Sequence, residues 1–410
     1  MKGFFKVASP AEVLAIIAQF EPLSPETLPT ADALGRVLAE DIRSPVDLPD
    51  FDRATMDGFA VRASDTTGAS ESSAIQFEWV GEVRMGEAPA FRIGRGQAAK
   101  IPTGGMLPEG ADAVVMDEYA SLADPQTVQI ARGASPWESV VRVGQDIRRG
   151  EVLLRAEDAL RPQELGALCG VGVTRVSVRR RPRVAILATG DEVVDPAETP
   201  KPGQIRDINR FTLSALTAQA GGVPVPLGIV QDDPAALGSV VRKALQENDV
   251  VLMSGGSSMG QRDHSVEIID SLGEPGVLIH GVSIKPGKPL IVGRAGEKAV
   301  IGVPGHPVSN MMVFQVFLKP LLHRLEGRRP KPHEDGFRTE ARLARNIPSA
   351  SGREDYVRVR LERTEDGFVA HPVLGSSSMI STLVKADGFI IIGVDSEGIA
   401  QGERVRVHSF

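Results

Sequence analysis

Two lysines flank a rigid turn in Lys285-Pro286-Gly287-Lys288-Pro289, a spacing that can aim two ammonium groups at one oxyanion. A second anion signal follows in Gly302-Val303-Pro304-Gly305-His306-Pro307-Val308-Ser309. Its two prolines around a glycine fix a turn, and the helix start beyond can receive negative charge. His306 within it is either a ligand or a satisfied structural histidine. Upstream, Ser254-Gly255-Gly256-Ser257-Ser258-Met259-Gly260 leads to Asp263-His264. Consecutive small residues after a strand let backbone N–H groups approach an anion. No Gly-Lys-Ser/Thr follows, so this is not a Walker loop.

Two acidic groups accompany these basic and glycine-rich turns. Thr189-Gly190-Asp191-Glu192 offers carboxylates that can bind a metal or orient a hydroxyl, and reads equally as a turn with a helix-capping acid. In Gln231-Asp232-Asp233-Pro234, Asp233 before Pro234 is a helix start, which leaves Asp232 without a structural task. Further towards the N-terminus, Asp57 in Ala54-Thr55-Met56-Asp57-Gly58-Phe59-Ala60 and Thr103 in Ile101-Pro102-Thr103-Gly104-Gly105 sit in turn signals.

These residues require a scaffold of alternating strands and helices. Residues 184–188 form a short apolar run, 210–219 have helical spacing, 223–230 read as strand, 234–246 as helix and 250–253 as strand. Such alternation implies crossover units and a parallel sheet, with ligands beyond the carboxyl ends of the strands. Ahead of it, Ser9-Pro10-Ala11-Glu12 opens a first helix, and residues 46–150 hold short β-like runs at 74–83, 97–101 and 113–116. A helix begins at Pro162 and ends near Gly170, with Cys169 read as a small core residue. The basic run Arg179-Arg180-Arg181-Pro182-Arg183 reads as a solvated linker, and 327–332 as another. Runs at 356–361, 389–392 and 404–407 close the chain as a small β domain.

Composition excludes several functions. Across 410 residues the formal net charge is −7 and aromatics are 4%, which disfavours binding to a phosphate backbone or to stacked bases. One cysteine rules out a disulfide framework and any multi-thiolate protein site. No apolar run approaches the ~18 residues of a membrane span, and no signal peptide is evident, so the expectation is a cytoplasmic protein with no nucleic-acid or membrane partner.

Taken in order, Met56-Asp57-Gly58-Phe59-Ala60, Pro102-Thr103-Gly104, Asp146-Ile147, Thr189-Gly190-Asp191-Glu192, Asp232-Asp233-Pro234, Ser254-Gly255-Gly256, Lys285-Pro286-Gly287-Lys288-Pro289 and Pro304-Gly305 resemble the molybdopterin molybdenumtransferase family, which includes the E domain of gephyrin. The resemblance implies a multidomain α/β plus β chain and a homodimer. Its parts would be an α/β domain (1–24 and 181–330), a small linking α+β domain (25–45 and 151–180), a mostly β module (46–150) and a C-terminal β-barrel-like domain (331–410). The cleft would lie between the α/β domain of one subunit and the β module of the other. The implied reaction converts adenylylated molybdopterin and molybdate, with Mg²⁺, to molybdenum cofactor and AMP.

By motif position, Asp57, Thr103, Asp146 and Glu192 carry catalysis, and Glu192, Asp232 and Asp263 serve nucleotide and metal. Ser254, Gly255, Gly256, Lys285, Lys288, Pro304, Pro307, Arg358 and Ser376 bind substrate, with the lysines, Arg358 and Ser376 near molybdate. The chain departs from the family in having Phe59 for Tyr, His306 for Asn and Ser257 for an aliphatic residue, which leaves molybdate against tungstate open. Two related readings are the adenylyltransferase that prepares the substrate and a non-catalytic, gephyrin-like scaffold.

Overall fold

The computed structural model describes residues 7–255, 264–329 and 338–410. Its centre is a six-stranded sheet in the order Val223–Val230, Arg183–Thr189, Val250–Ser254, Lys298–Val303, Ile291–Ala295, Pro275–His280. The first four strands are parallel, and the last two complete the sheet antiparallel. Alternate residues of the apolar runs supply two cores. Val184, Ile186, Val250 and Leu252 pack with Leu213 and Phe317 on one face. Ala185, Leu187, Val251 and Met253 pack with Leu237 and Val241 on the other. Burial on both faces is why these strands read as continuous hydrophobic runs.

The chain's first helix, Pro10–Ile17, packs on this centre. Ser9 Oγ accepts from the Glu12 N–H (3.2 Å) and Glu12 Oε2 from the Ser9 N–H (2.7 Å), so the capping box forms as its spacing predicts. Val13 and Ile17 join the core that holds Phe317.

The β module is a second six-stranded sheet, ordered Ala113–Met116, Gly58–Val61, Gln97–Ile101, Ile75–Glu82, Thr127–Ile130, Ala120–Asp124. Glycine is required at position 58, because a Cβ there would lie 2.0 Å from the Val115 carbonyl oxygen. Between module and centre, Pro25–Pro29 pairs antiparallel with Arg175–Arg179 over a core of Leu38, Leu160, Leu168, Val176 and Val178.

At the C-terminus five strands close into a barrel: Arg338–Leu343, Glu354–Thr364, Gly367–Pro372, Gly388–Ile392 and Arg404–Ser409. Closure comes from pairing of Glu354–Thr364 with Gly388–Ile392. The short strand Ile284–Lys285, from the central region, adds to this barrel parallel to Glu354 and Asp355. Tyr356 and Phe389 reach back into the central core.

Two expectations change. Arg179–Arg183 is not a solvated linker: Arg180 makes two 2.8 Å bonds to Asp249, whose Oδ2 also accepts the Arg183 N–H at 2.8 Å. The partner acid is remote in sequence, so the run's charge alone misled. Cys169 is exposed rather than core, because its short helix buries only Leu168. The last central helix begins at Pro307 and continues through a π-helical segment, Phe314–Leu318, to Leu325. Among the described residues no helix is long and apolar enough to cross a membrane.

Candidate functional site

A cleft of about 1440 Å³ opens where the carboxyl ends of the central strands meet the barrel. Glu192, Ser254, Gly255, Lys285, Lys288, Pro304, Pro307, Arg358 and Ser376 all line it. Gly256 and Asp263 lie outside the described residues. Asp232 stands at the cleft's edge: its N–H donates to Asp191 Oδ1 (3.3 Å) and its carboxylate accepts from Thr189 Oγ1 (3.5 Å). Asp233 caps the next helix through the Ala236 N–H at 2.8 Å, as the Asp-Pro pattern predicts.

The floor of the cleft is a buried polar junction. Strand Val250–Ser254 ends on Ser254, whose Oγ accepts from Asn209 Nδ2 (2.9 Å) and Asn310 Nδ2 (3.4 Å). The same amides donate to the Gly305 carbonyl (2.7 Å) and the Pro304 carbonyl (3.2 Å). One strand end, two helix starts and the Pro304–Pro307 turn are thereby fixed together. Gly255 follows at φ +107°, and a Cβ there would lie 2.2 Å from the Thr189 carbonyl oxygen, so only glycine lets the two strand ends approach.

The barrel wall supplies cations. Arg358 is 6% exposed, and its Nη2 donates to the Gly375 carbonyl at 3.1 Å. Among the described residues its Nε has no partner, and no carboxylate pairs with it. Burial holds its pKa below the usual guanidinium value. Lys285 Nζ lies 3.9 Å from Asp355 Oδ2, and Arg353 Nε donates to Asp355 Oδ1 at 2.8 Å. His306 joins the two walls: its Nδ1 is 2.9 Å from Ser377 Oγ, while the Val308 N–H donates to the Ser377 carbonyl at 3.0 Å. It serves here as a bridge between central turn and barrel.

Asp57, Thr103 and Asp146 do not line the cleft of their own chain. Asp57 and Thr103 nonetheless meet, the Thr103 N–H donating to Asp57 Oδ1 at 2.6 Å. That bond, then the Thr103 hydroxyl and the Lys100 charge, hold the exposed Asp57 carboxyl below its usual pKa. Asp146 is exposed in a turn where its N–H donates to the Leu48 carbonyl. Sequence reasoning missed Asn209, Asn310, Arg353 and Asp355. Asn209 carried a faint signal, since a polar group opens its helix; the others stand in patterns with no distinguishing spacing.

A doubly wound centre whose strand ends carry acids, joined to a barrel that presents a buried arginine with no carboxylate partner among the described residues, defines a protein that handles anionic, phosphate-like ligands. Comparison with known proteins narrows that class. Residues 8–172 match the model of the MoeA N-terminal region (domain I and II). Residues 185–324 match a probable molybdopterin binding domain, and 340–410 the MoeA C-terminal region (domain IV). The chain is 32% identical over 391 residues to the molybdopterin molybdenumtransferase of Haemophilus influenzae, covering 95% of each. It is 32% identical to that of Bacillus subtilis, covering 92% of this chain and 87% of the relative. A molybdopterin biosynthesis MoeA structure from Pyrococcus horikoshii matches with TM-score 0.85 at 32% identity, covering 99% of this chain and 100% of that one. The chain belongs to the molybdopterin molybdenumtransferase family.

Proposed function

We propose that this protein inserts molybdenum from molybdate into adenylylated molybdopterin, releasing AMP and molybdenum cofactor. The observation that carries the reading is Arg358, a buried guanidinium with no carboxylate partner among the described residues, in the same cleft as Lys285 and Lys288. A desolvated cation is costly unless an anion pairs with it, and a tetrahedral dianion suits one guanidinium and two ammonium groups. Ser376 lines the same cleft from a barrel loop. Water cleaves the phosphoanhydride to release AMP, and the two dithiolene thiols take the metal by displacing one molybdate oxygen as water. Those thiols belong to the pterin, so the enzyme needs none of its own.

Glu192 lines the cleft, with no side-chain partner among the described residues, and Asp232 is close by on the neighbouring strand end. Among the described residues no cluster of three or more metal-binding side chains occurs. This donor set fits Mg²⁺, which takes one or two carboxylates and completes its shell with water and substrate phosphate oxygens. When bound, Mg²⁺ neutralises phosphate charge at the anhydride. Glu192 and Asp232 would hold it, with Asp263 assigned alongside them by motif. Asp57, Thr103 and Asp146 reach the chemistry only across a homodimer, the β module of one subunit facing the cleft of the other. The four-part domain division and a cytoplasmic location belong to the same reading.

Purified protein mixed with adenylylated molybdopterin, molybdate and Mg²⁺ should release AMP in a molybdate-dependent manner. Absence of that release points to the scaffold alternative, and formation of the adenylylated pterin from ATP to the adenylyltransferase. Asp57→Ala and Glu192→Ala should each lower the rate about tenfold or more with little change in thermal midpoint, since both side chains are exposed. Unaltered turnover in both would show the cleft to be misplaced. In sedimentation the active species should run as a dimer; an active monomer would contradict the shared site.

A further inference from the structure

Asp355 is an acid in the wall of a cleft otherwise suited to an oxyanion. It sits on barrel strand Glu354–Thr364, opposite Lys285 in the parallel pairing. Its side chain is 5% exposed, against 62% for Lys285 and 37% for Arg353, so the acid is fixed and the two cations have room to move. Oδ1 takes the Arg353 bond at 2.8 Å, and Oδ2 faces Lys285 at 3.9 Å. Arg358, on the same strand, has no such counter-charge among the described residues.

We infer that Asp355 is a positioning residue that gathers Lys285 and Arg353 at the cleft wall while weakening the resting grip on the bound oxyanion, so that molybdate is passed on rather than stored. The inference rests on the reading of this cleft as the molybdate site. Two opposed effects follow from the geometry. Asp355 orders the cations, but its pair with Lys285 is long and mostly exposed on the lysine side, a kind of contact that contributes little. Its repulsion of the anion acts on a double charge from a buried position, where screening is weak. The Arg353 bond is shorter, at 2.8 Å, but that arginine is 37% exposed, so its ordering too is discounted by solvent and repulsion outweighs it. A carboxylate that raises the energy of bound molybdate without equally raising that of the transition state speeds the chemical step.

The test uses the full chain, with molybdate binding followed by calorimetry and turnover by AMP release. Asp355→Asn, which keeps an oxygen for Arg353, should bind molybdate about tenfold tighter, and KM for molybdate and kcat should fall together. Asp355→Glu should stay near the parent in both. Equal or weaker binding by Asp355→Asn overturns the inference. Should that variant fail to fold, Arg353→Gln serves instead: it removes a cation and unmasks the acid, so binding should weaken by about fivefold or more, and unchanged binding overturns the inference. Arg358→Gln separates this from the underlying reading. If it leaves molybdate affinity intact, the cleft assignment itself falls; if it abolishes binding, the Asp355 result stands on its own.

Discussion

Replacing Arg358 with glutamine is expected to lower molybdate-dependent AMP release by about a hundred- to a thousand-fold while leaving the protein no less stable. Most buried arginines are fixed by carboxylates, and removing one strands a charge. Arg358 strands none: among the described residues its side chain bonds to the Gly375 carbonyl and to no carboxylate, and burial already works against its charged form. Taking away an unpaired buried cation relieves a desolvation cost, so the thermal midpoint should hold or rise. Activity moves the other way, because the strongest fixed positive charge at the cleft has gone. This pairing of lost rate with retained stability is the signature of a group kept for its ligand. A variant that lost stability but kept turnover would make Arg358 a structural residue and remove the main support for the molybdate assignment.

Glu326→Gln is expected to stabilise the protein by about 3 kcal/mol at pH 8 and to change little at pH 4.5. Glu326 follows the last central helix, 4% exposed, and packs so closely on Gly221 that a Cβ there would lie 2.5 Å from its Oε1. Burial pushes its pKa up to about 7, a rise that Arg328, Arg181 and Arg36 only partly offset. With the folded value above the unfolded one of 4.5, its contribution is fully present below pH 4.5 and lost as pH rises through 7. Glutamine has no proton to lose and removes that slope. Denaturant unfolding at the two pH values measures the difference, and equal stabilities at pH 8 would place Glu326 in contact with water.

The central sheet was legible because parallel strands buried on both faces must be continuously apolar, and residues 184–188 and 250–253 are. Its antiparallel strands Ile291–Ala295 and Pro275–His280 were not, since their apolar residues are interrupted by glycines and carry no helix between them. The site divides in the same way. Glu192, Ser254, Lys285 and Pro304 follow strands or tight turns, where ligands collect, and one cleft holds all four. Asp355 and Arg353 owe their place to strand pairing between segments about 70 residues apart, and no local pattern encodes a partner at that distance. The bond between Asp57 and Thr103 was hidden for the same reason, although each residue stood out in its own turn.

The short strand Ile284–Lys285 belongs to the central region by sequence and to the barrel by hydrogen bonding. Its alignment therefore depends on residues 354 and 355, which leave a ribosome long after Lys285 does. A nascent chain that has already completed the central sheet still lacks Arg358, Asp355 and the strand that sets the direction of Lys285. The barrel wall of the cleft is thus completed only after the central sheet. A chain cut before the barrel would keep Lys285, Lys288 and the central strand ends but lose Arg358, Ser376 and the strand that aligns Lys285, so under the proposed reading truncation would strip the cleft of its barrel-side cation before touching its other wall.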